Sequence, residues 1–107
     1  MKSIKDLRTD YQKSELNVKD LTLEPITLFQ QWLSQAITYS NDANAFVLST
    51  VNSNSVPSSR VLLLRDATEK GFSFFTNYSS RKSQEIEVNP NVCMNFFWPE
   101  MERQVRI

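Results

Sequence analysis

Histidine is absent from all 107 residues of this sequence. The commonest general base at neutral pH and the commonest metal ligand go with it, so metal-hydrolase and triad chemistry start far behind. A single cysteine, Cys93, excludes an internal disulfide. Its place inside a run of strand formers reads as an inert buried thiol. Net charge is missing too, with Lys+Arg and Asp+Glu at 12 each. Nothing therefore marks the whole chain as a binder of nucleic acid, and its cations matter by position instead. No apolar run approaches the length that crosses a bilayer, and Met1-Lys2-Ser3-Ile4-Lys5-Asp6 is not followed by an apolar signal core. The expectation is a cytoplasmic chain with no membrane partner. At this length it forms at most one domain, near the size where burial becomes marginal.

What is present changes period along the chain. Residues 1–20 are polar, with Ile4, Leu7 and Tyr11 at the spacing of a short, loosely attached helix. Glu24-Pro25 opens a better one, because proline suits the first helical turn. Leu28, Phe29, Trp32, Leu33, Ala36 and Ile37 then make an apolar stripe that fades at Tyr39 to Asn44, where Ser40, Asn41 and Asp42 favour turns. From Ala45 onward β-formers dominate. Phe46 to Val51 reads as a strand, residues 52–55 as a turn, and Pro57 to Arg65 as the returning strand. A polar loop, Asp66 to Gly71, holds the only glycine. Phe72 to Thr76 is a third strand, and Ser80 to Val88 a short helix capped by Ser79 or Ser80 with Ile86 inward and Asn89-Pro90 as its stop. Val92 to Trp98 is a fourth strand, with Phe96 and Trp98 at core or interface positions. Pro99-Glu100 turns, and Arg103 to Ile107 starts a fifth strand.

This order predicts a mostly β fold: antiparallel strands curling toward a barrel, with helices outside. Five short strands are too few to close a roomy barrel, and the final residue falls inside a strand pattern, so the chain reads as cut short. Missing strands or a second subunit would cover the edges.

Two segments carry the chemistry. Ser59-Arg60-Val61-Leu62-Leu63-Leu64-Arg65 is an aliphatic run with an arginine at each end, and Ser79-Ser80-Arg81-Lys82 follows the aromatic run Phe72 to Asn77. Together they offer a strand backbone for a flat group and cations that converge on one phosphate, which is what a flavin mononucleotide site needs. On residues alone, each arginine is also a solvated strand end, and Arg81-Lys82 is also an exposed helix start. Cations at a helix start oppose its dipole, however, which points to an anionic guest.

Leu7-Arg8 with Tyr11, Leu28-Phe29 with Trp32-Leu33, Arg60 to Arg65, Phe75-Thr76-Asn77 with Ser80-Arg81-Lys82, and Glu102-Arg103-Gln104-Val105 resemble, in order, the amino-terminal half of the pyridoxamine 5'-phosphate oxidase family. The resemblance implies a split β-barrel homodimer of chains about twice this length, with flavin mononucleotide (FMN) at the subunit interface. It implies oxidation of pyridoxamine or pyridoxine 5'-phosphate to pyridoxal 5'-phosphate, with molecular oxygen as acceptor, in vitamin B6 biosynthesis or salvage. Residues 21–107 would be the amino-terminal part of the barrel domain and residues 1–20 a substrate lid.

By the same resemblance, Arg60, Val61, Leu62, Leu63, Leu64 and Arg65 line the cofactor, with Arg60 on its phosphate. Phe75 and Thr76 flank it, Arg81 and Lys82 bind the phosphate, and Gln104 bonds the ring. Arg8 and Tyr11 close over substrate, and Arg65 touches the substrate phosphate. The family has lysine at that last position, and arginine presents a longer, planar head. No catalytic residue is assigned, because the family's Arg-x-His pair lies in the half that these residues do not include. Two further readings stay open: a flavin-binding split barrel with other chemistry, such as a flavin reductase, and a non-catalytic flavin-binding module.

Overall fold

In the computed structural model, residues 3–7, 24–75 and 80–107 are described. Of the amino-terminal segment this includes one 3-10 turn, Ile4–Asp6, with Ile4 and Leu7 exposed. The first α-helix, α1 (Pro25–Ile37), begins with proline in its first turn. Phe29 and Ala36 are buried, with Ile26, Trp32 and Leu33 packed beside them, while Ile37 is exposed rather than closing the stripe.

The strands are β1 (Ala45–Val51), β2 (Pro57–Thr68), β3 (Gly71–Phe74), β4 (Cys93–Trp98) and β5 (Arg103–Arg106). The second helix, α2 (Arg81–Val88), lies between β3 and β4 in the chain, and Ser80 is its N-cap, accepting a hydrogen bond from the Ser83 backbone. The strands form one antiparallel sheet in the order β3-β2-β1-β4-β5. A 3-10 turn, Pro99–Met101, links the last two strands and ends at Glu102 in the left-handed region, φ 52°.

Strand β2 outruns its expected end at Arg65 because a bulge lets it continue. Leu64 pairs with Phe74 and Asp66 with Ser73, leaving Arg65 as the extra residue. The turn is then only Glu69-Lys70, and Gly71, at φ 134°, opens β3 in a conformation that suits glycine.

Both helices lie against the same face of the sheet. Strand alternation sends Phe46, Leu48 and Thr50 of β1, Leu64 of β2 and Met94, Phe96 and Trp98 of β4 to that side, where all are buried. Phe29 of α1 sits 5.2 Å from the Phe72 ring and 5.1 Å from Phe96, both edge-on, and Phe46 bridges Phe74 and Phe96 at 5.5 and 5.3 Å. Trp98 resolves its polar end by donating from Nε1 to the Ala43 carbonyl at 2.8 Å. Phe96 and Trp98 are thus core. Cys93 corrects its expectation: it opens β4 on the other face and is exposed, because the odd positions of this strand point away from the helices.

That other face carries no helix among the described residues. Cross-strand partners place Ala45 opposite Leu63, Val47 between Val61 and Asn95, Ser49 between Ser59 and Cys93, and Phe97 opposite Gln104. Val61, Leu63 and Phe97 are exposed at 67%, 57% and 55%, so the centre of the face is apolar surface in water.

Candidate functional site

Arg60 leaves β2 on the helix side and enters a buried polar knot. Its Nη1 donates to the Leu48 carbonyl and to Thr50 Oγ1, both at 3.0 Å, and its Nη2 donates to Ser58 Oγ at 2.8 Å. Both hydroxyls pass the contact on. Ser58 Oγ donates to Glu85 Oε2 at 2.9 Å, and Thr50 Oγ1 donates to the same oxygen. The Arg60 and Glu85 charges are 3.7 Å apart, with side chains 22% and 6% exposed. A carboxylate this buried needs such partners, because the cost of taking it out of water is several kcal/mol. Thr50, Ser58 and Glu85 escaped the sequence reading. The one signal available was alternation, which puts a threonine at position 50 on the same face as Phe46 and Leu48, where a hydroxyl needs a partner.

Glu85 also ties α2 to the sheet through Thr50 and Ser58. An eight-residue helix is marginal by itself, and its buried Ser83 and Glu85 seat it on β1 and β2. Its first turn carries Arg81 and Lys82, one helical turn from the carboxylate that meets Arg60. Lys82 folds back so that Nζ donates to the Ser80 hydroxyl at 3.2 Å. A cation held at the positive end of a helix dipole is unfavourable by about 0.3–1 kcal/mol, a sign that reverses once an anion sits there.

Arg65 belongs elsewhere. It lies at the bulge, and its guanidinium stands 4.0 Å from the centroid of the exposed Phe75 ring. It also borders a cleft against α1, lined by Gln30, Leu33, Asn44, Leu64 and Ala67. Five residues of strand separate the Cα atoms of Arg60 and Arg65 by about 16 Å. Arg60 keeps company with Glu85 of α2, and Arg65 with Phe75.

Between them the aliphatic residues divide by parity. Leu62 and Leu64 turn to the core, and Val61 and Leu63 to the open face. Among the described residues β3 pairs only with Leu64 and Asp66 to Thr68, so the edge of β2 from Pro57 to Leu63 that faces away from β1 has no strand partner. Unpaired backbone donors and acceptors there are free to meet a flat heteroaromatic ring. Gln104 bounds the open face from β5, about 14 Å from β2 across three strand spacings. Thr76, Arg8 and Tyr11 lie outside the described residues, as do most of the expected lid, and of Arg81 only the backbone is described.

Comparison with known proteins gives a consistent answer. A family model described as Pyridoxamine 5'-phosphate oxidase matches residues 34–107. A pyridoxine/pyridoxamine 5'-phosphate oxidase of Actinobacillus succinogenes is 48% identical over 95% of this chain and 49% of its own length. One from Flavobacterium johnsoniae is 44% identical over 100% of this chain and 51% of its own. The chain thus spans about half the length of the curated relatives it matches. Among solved structures, PhzG from Burkholderia lata, in complex with tetrahydrophenazine-1-carboxylic acid, superposes with a TM-score of 0.79 at 29% identity, over 87% of this chain and 48% of that one. A pyridoxamine 5'-phosphate oxidase-related, FMN binding protein from Nostoc punctiforme has the same fold, with a TM-score of 0.70 at 24% identity, over 81% of this chain and 47% of that one.

Proposed function

The chain belongs to the pyridoxamine 5'-phosphate oxidase family, and from that premise we propose that it holds FMN and supplies the amino-terminal share of an oxidase acting on pyridoxamine or pyridoxine 5'-phosphate. The observation that carries this reading is the seating of α2 on β1 and β2, which brings a capped helix start bearing Arg81 and Lys82 to within one turn of the carboxylate that grips Arg60.

The residues present fit the cofactor. Arg60, Arg81 and Lys82, with the backbone N–H groups of the α2 first turn, would hold its phosphate through charge-assisted bonds. The unpaired edge of β2 at Val61 to Leu63 would meet the ring, with Phe75 and Thr76 beside it and Gln104 across the open face. When bound, the flavin accepts the hydride from the substrate carbon and returns its electrons to oxygen, so the protein's part is placement and electrostatics. Arg65, set about 16 Å along β2 from Arg60, would serve the substrate phosphate. Its guanidinium already lies against Phe75, which limits where its donors can aim. Arg8 and Tyr11 would close over the substrate.

The apolar open face supports a homodimer. Val61, Leu63 and Phe97 are large, exposed and contiguous with β2's unpaired edge, as an interface between copies with a cofactor inside it requires. Among the described residues no helix is long and apolar enough to cross a membrane.

The test is direct. The purified protein is expected to take up FMN with a bound-flavin absorbance spectrum, and the complete reading frame that carries these residues is expected to release peroxide with pyridoxine 5'-phosphate. Flavin uptake without turnover of that substrate would instead favour a flavin-binding protein with other chemistry.

A further inference from the structure

Among the described residues Glu85 is the one carboxylate buried against a cation of the candidate site, and the phosphate reading gives it no task. A negative charge beside a phosphate ligand looks counterproductive, since it cancels part of the attraction that the arginine offers. Its bonds suggest what it does instead. Thr50 and Ser58 each accept from the guanidinium and donate to Glu85 Oε2. With a carboxylate at position 85, which only accepts, both hydroxyl protons must point toward it, so both hydroxyls present lone pairs to Arg60. The two relays and the Leu48 carbonyl take up both N–H groups of Nη1 and one of Nη2, which leaves the other Nη2 N–H and the Nε N–H for a ligand. The head is thereby locked, while a side chain 22% exposed remains reachable from solvent. The same carboxylate seats the short helix whose first turn carries Lys82.

We propose that Glu85 is a positioning residue which, through Thr50 and Ser58, fixes both the orientation of the Arg60 guanidinium and the seat of the α2 first turn, so that the two cationic elements of the phosphate site are set before the cofactor arrives. This rests on the reading of Arg60 and Lys82 as phosphate ligands. Preset donors bind more tightly because less freedom is lost on association, and here the gain is specific to ligands that carry a phosphate. A glutamine at 85 keeps the volume but presents an N–H as well as an acceptor, which allows either hydroxyl to reverse and withdraw its lone pair from Arg60.

The experiment compares FMN with riboflavin, which has the same ring and no phosphate, by flavin-fluorescence titration of the purified protein and of E85Q, S58A, R60A and K82A. Glu85→Gln is expected to weaken FMN about tenfold and riboflavin less than about twofold, with Ser58→Ala in the same direction and smaller. If E85Q weakens both flavins equally, or neither, while R60A and K82A lower the preference for FMN, the positioning role is overturned and the phosphate reading stands. Should R60A and K82A also leave that preference unchanged, or should the unaltered protein bind no FMN, the reading falls and this inference with it. Ser58→Ala, at a half-buried position, keeps the test decisive if E85Q fails to fold, since an unchanged preference in S58A overturns the relay.

Discussion

The two faces of the sheet are built from the same strands and do opposite things. On the helix side, residues of β1, β2 and β4 bury an aromatic cluster and, at its margin, a knot of Arg60, Thr50, Ser58 and Glu85 in which each polar group has a partner. On the other side the alternate residues of the same strands leave Val61, Leu63 and Phe97 in water, and Asn95 Oδ1 lies buried without a hydrogen-bond partner. A finished face buries its apolar atoms and pairs its polar ones; here the Ser49 and Ser59 hydroxyls pair at 2.9 Å, but the apolar side chains stay exposed and Asn95 Oδ1 has no partner among the described residues. The helix face thus buries the core and holds Arg60 at its margin, whereas the bare face leaves its apolar side chains exposed among the described residues.

That contrast breaks first, and hardest, at neighbouring phenylalanines. Phe96→Ala removes a fully buried ring at the centre of the cluster and is expected to cost about 3–5 kcal/mol in denaturant unfolding. Phe97→Ala on the open face is expected to stay within about 0.5 kcal/mol in the same measurement. Equal losses would mean that the open face is covered within the chain.

The arginines give the next largest separation. Arg60→Ala removes the cation 3.7 Å from the buried Glu85 carboxylate and is expected to destabilise by about 3 kcal/mol. Arg65→Ala loses one cation–π contact and is expected to cost under about 1 kcal/mol by the same denaturant curve. Comparable values would place both arginines in one environment and undo the division of the leucine run.

Legibility from sequence follows the same division. Periodicity and turn residues located every described strand and both α-helices, and narrowed the α2 cap to Ser79 or Ser80, because each depends on sterics within a few residues. The end of β2 was missed by three residues, since the bulge at Arg65 exists only by pairing with β3. Cys93 was expected in the core, because a strand rich in β-formers does not say which parity faces inward. The spacing of Arg60 and Arg65 was visible, but the bulge at Arg65 breaks the alternation by which it could be read. Glu85 was not legible: on α2 it looks like any surface carboxylate until the helix docks.

A sharper test of the bare face uses charge. Leu63→Lys is expected to shift sedimentation from dimer to monomer while unfolding changes by less than about 1 kcal/mol, because the site is exposed in the isolated chain. Loss of folding instead of association would show that the face is internal. A modest effect is expected at the helix start. Ser80→Ala removes the cap of α2, costs about 1 kcal/mol in thermal unfolding, and frees Lys82 from its Ser80 contact.

By itself the sequence determined the elements and their caps, the parity that sorts each strand into two faces, and the family. Only the tertiary structure decided that Glu85 meets Thr50 and Ser58, 35 and 27 positions away along the chain, and that one face stays bare. Local sterics act within a turn or a pleat, so the residues declare them. Which buried hydroxyl meets which charge depends on register and helix docking, and those are set by the packing of the whole core at once.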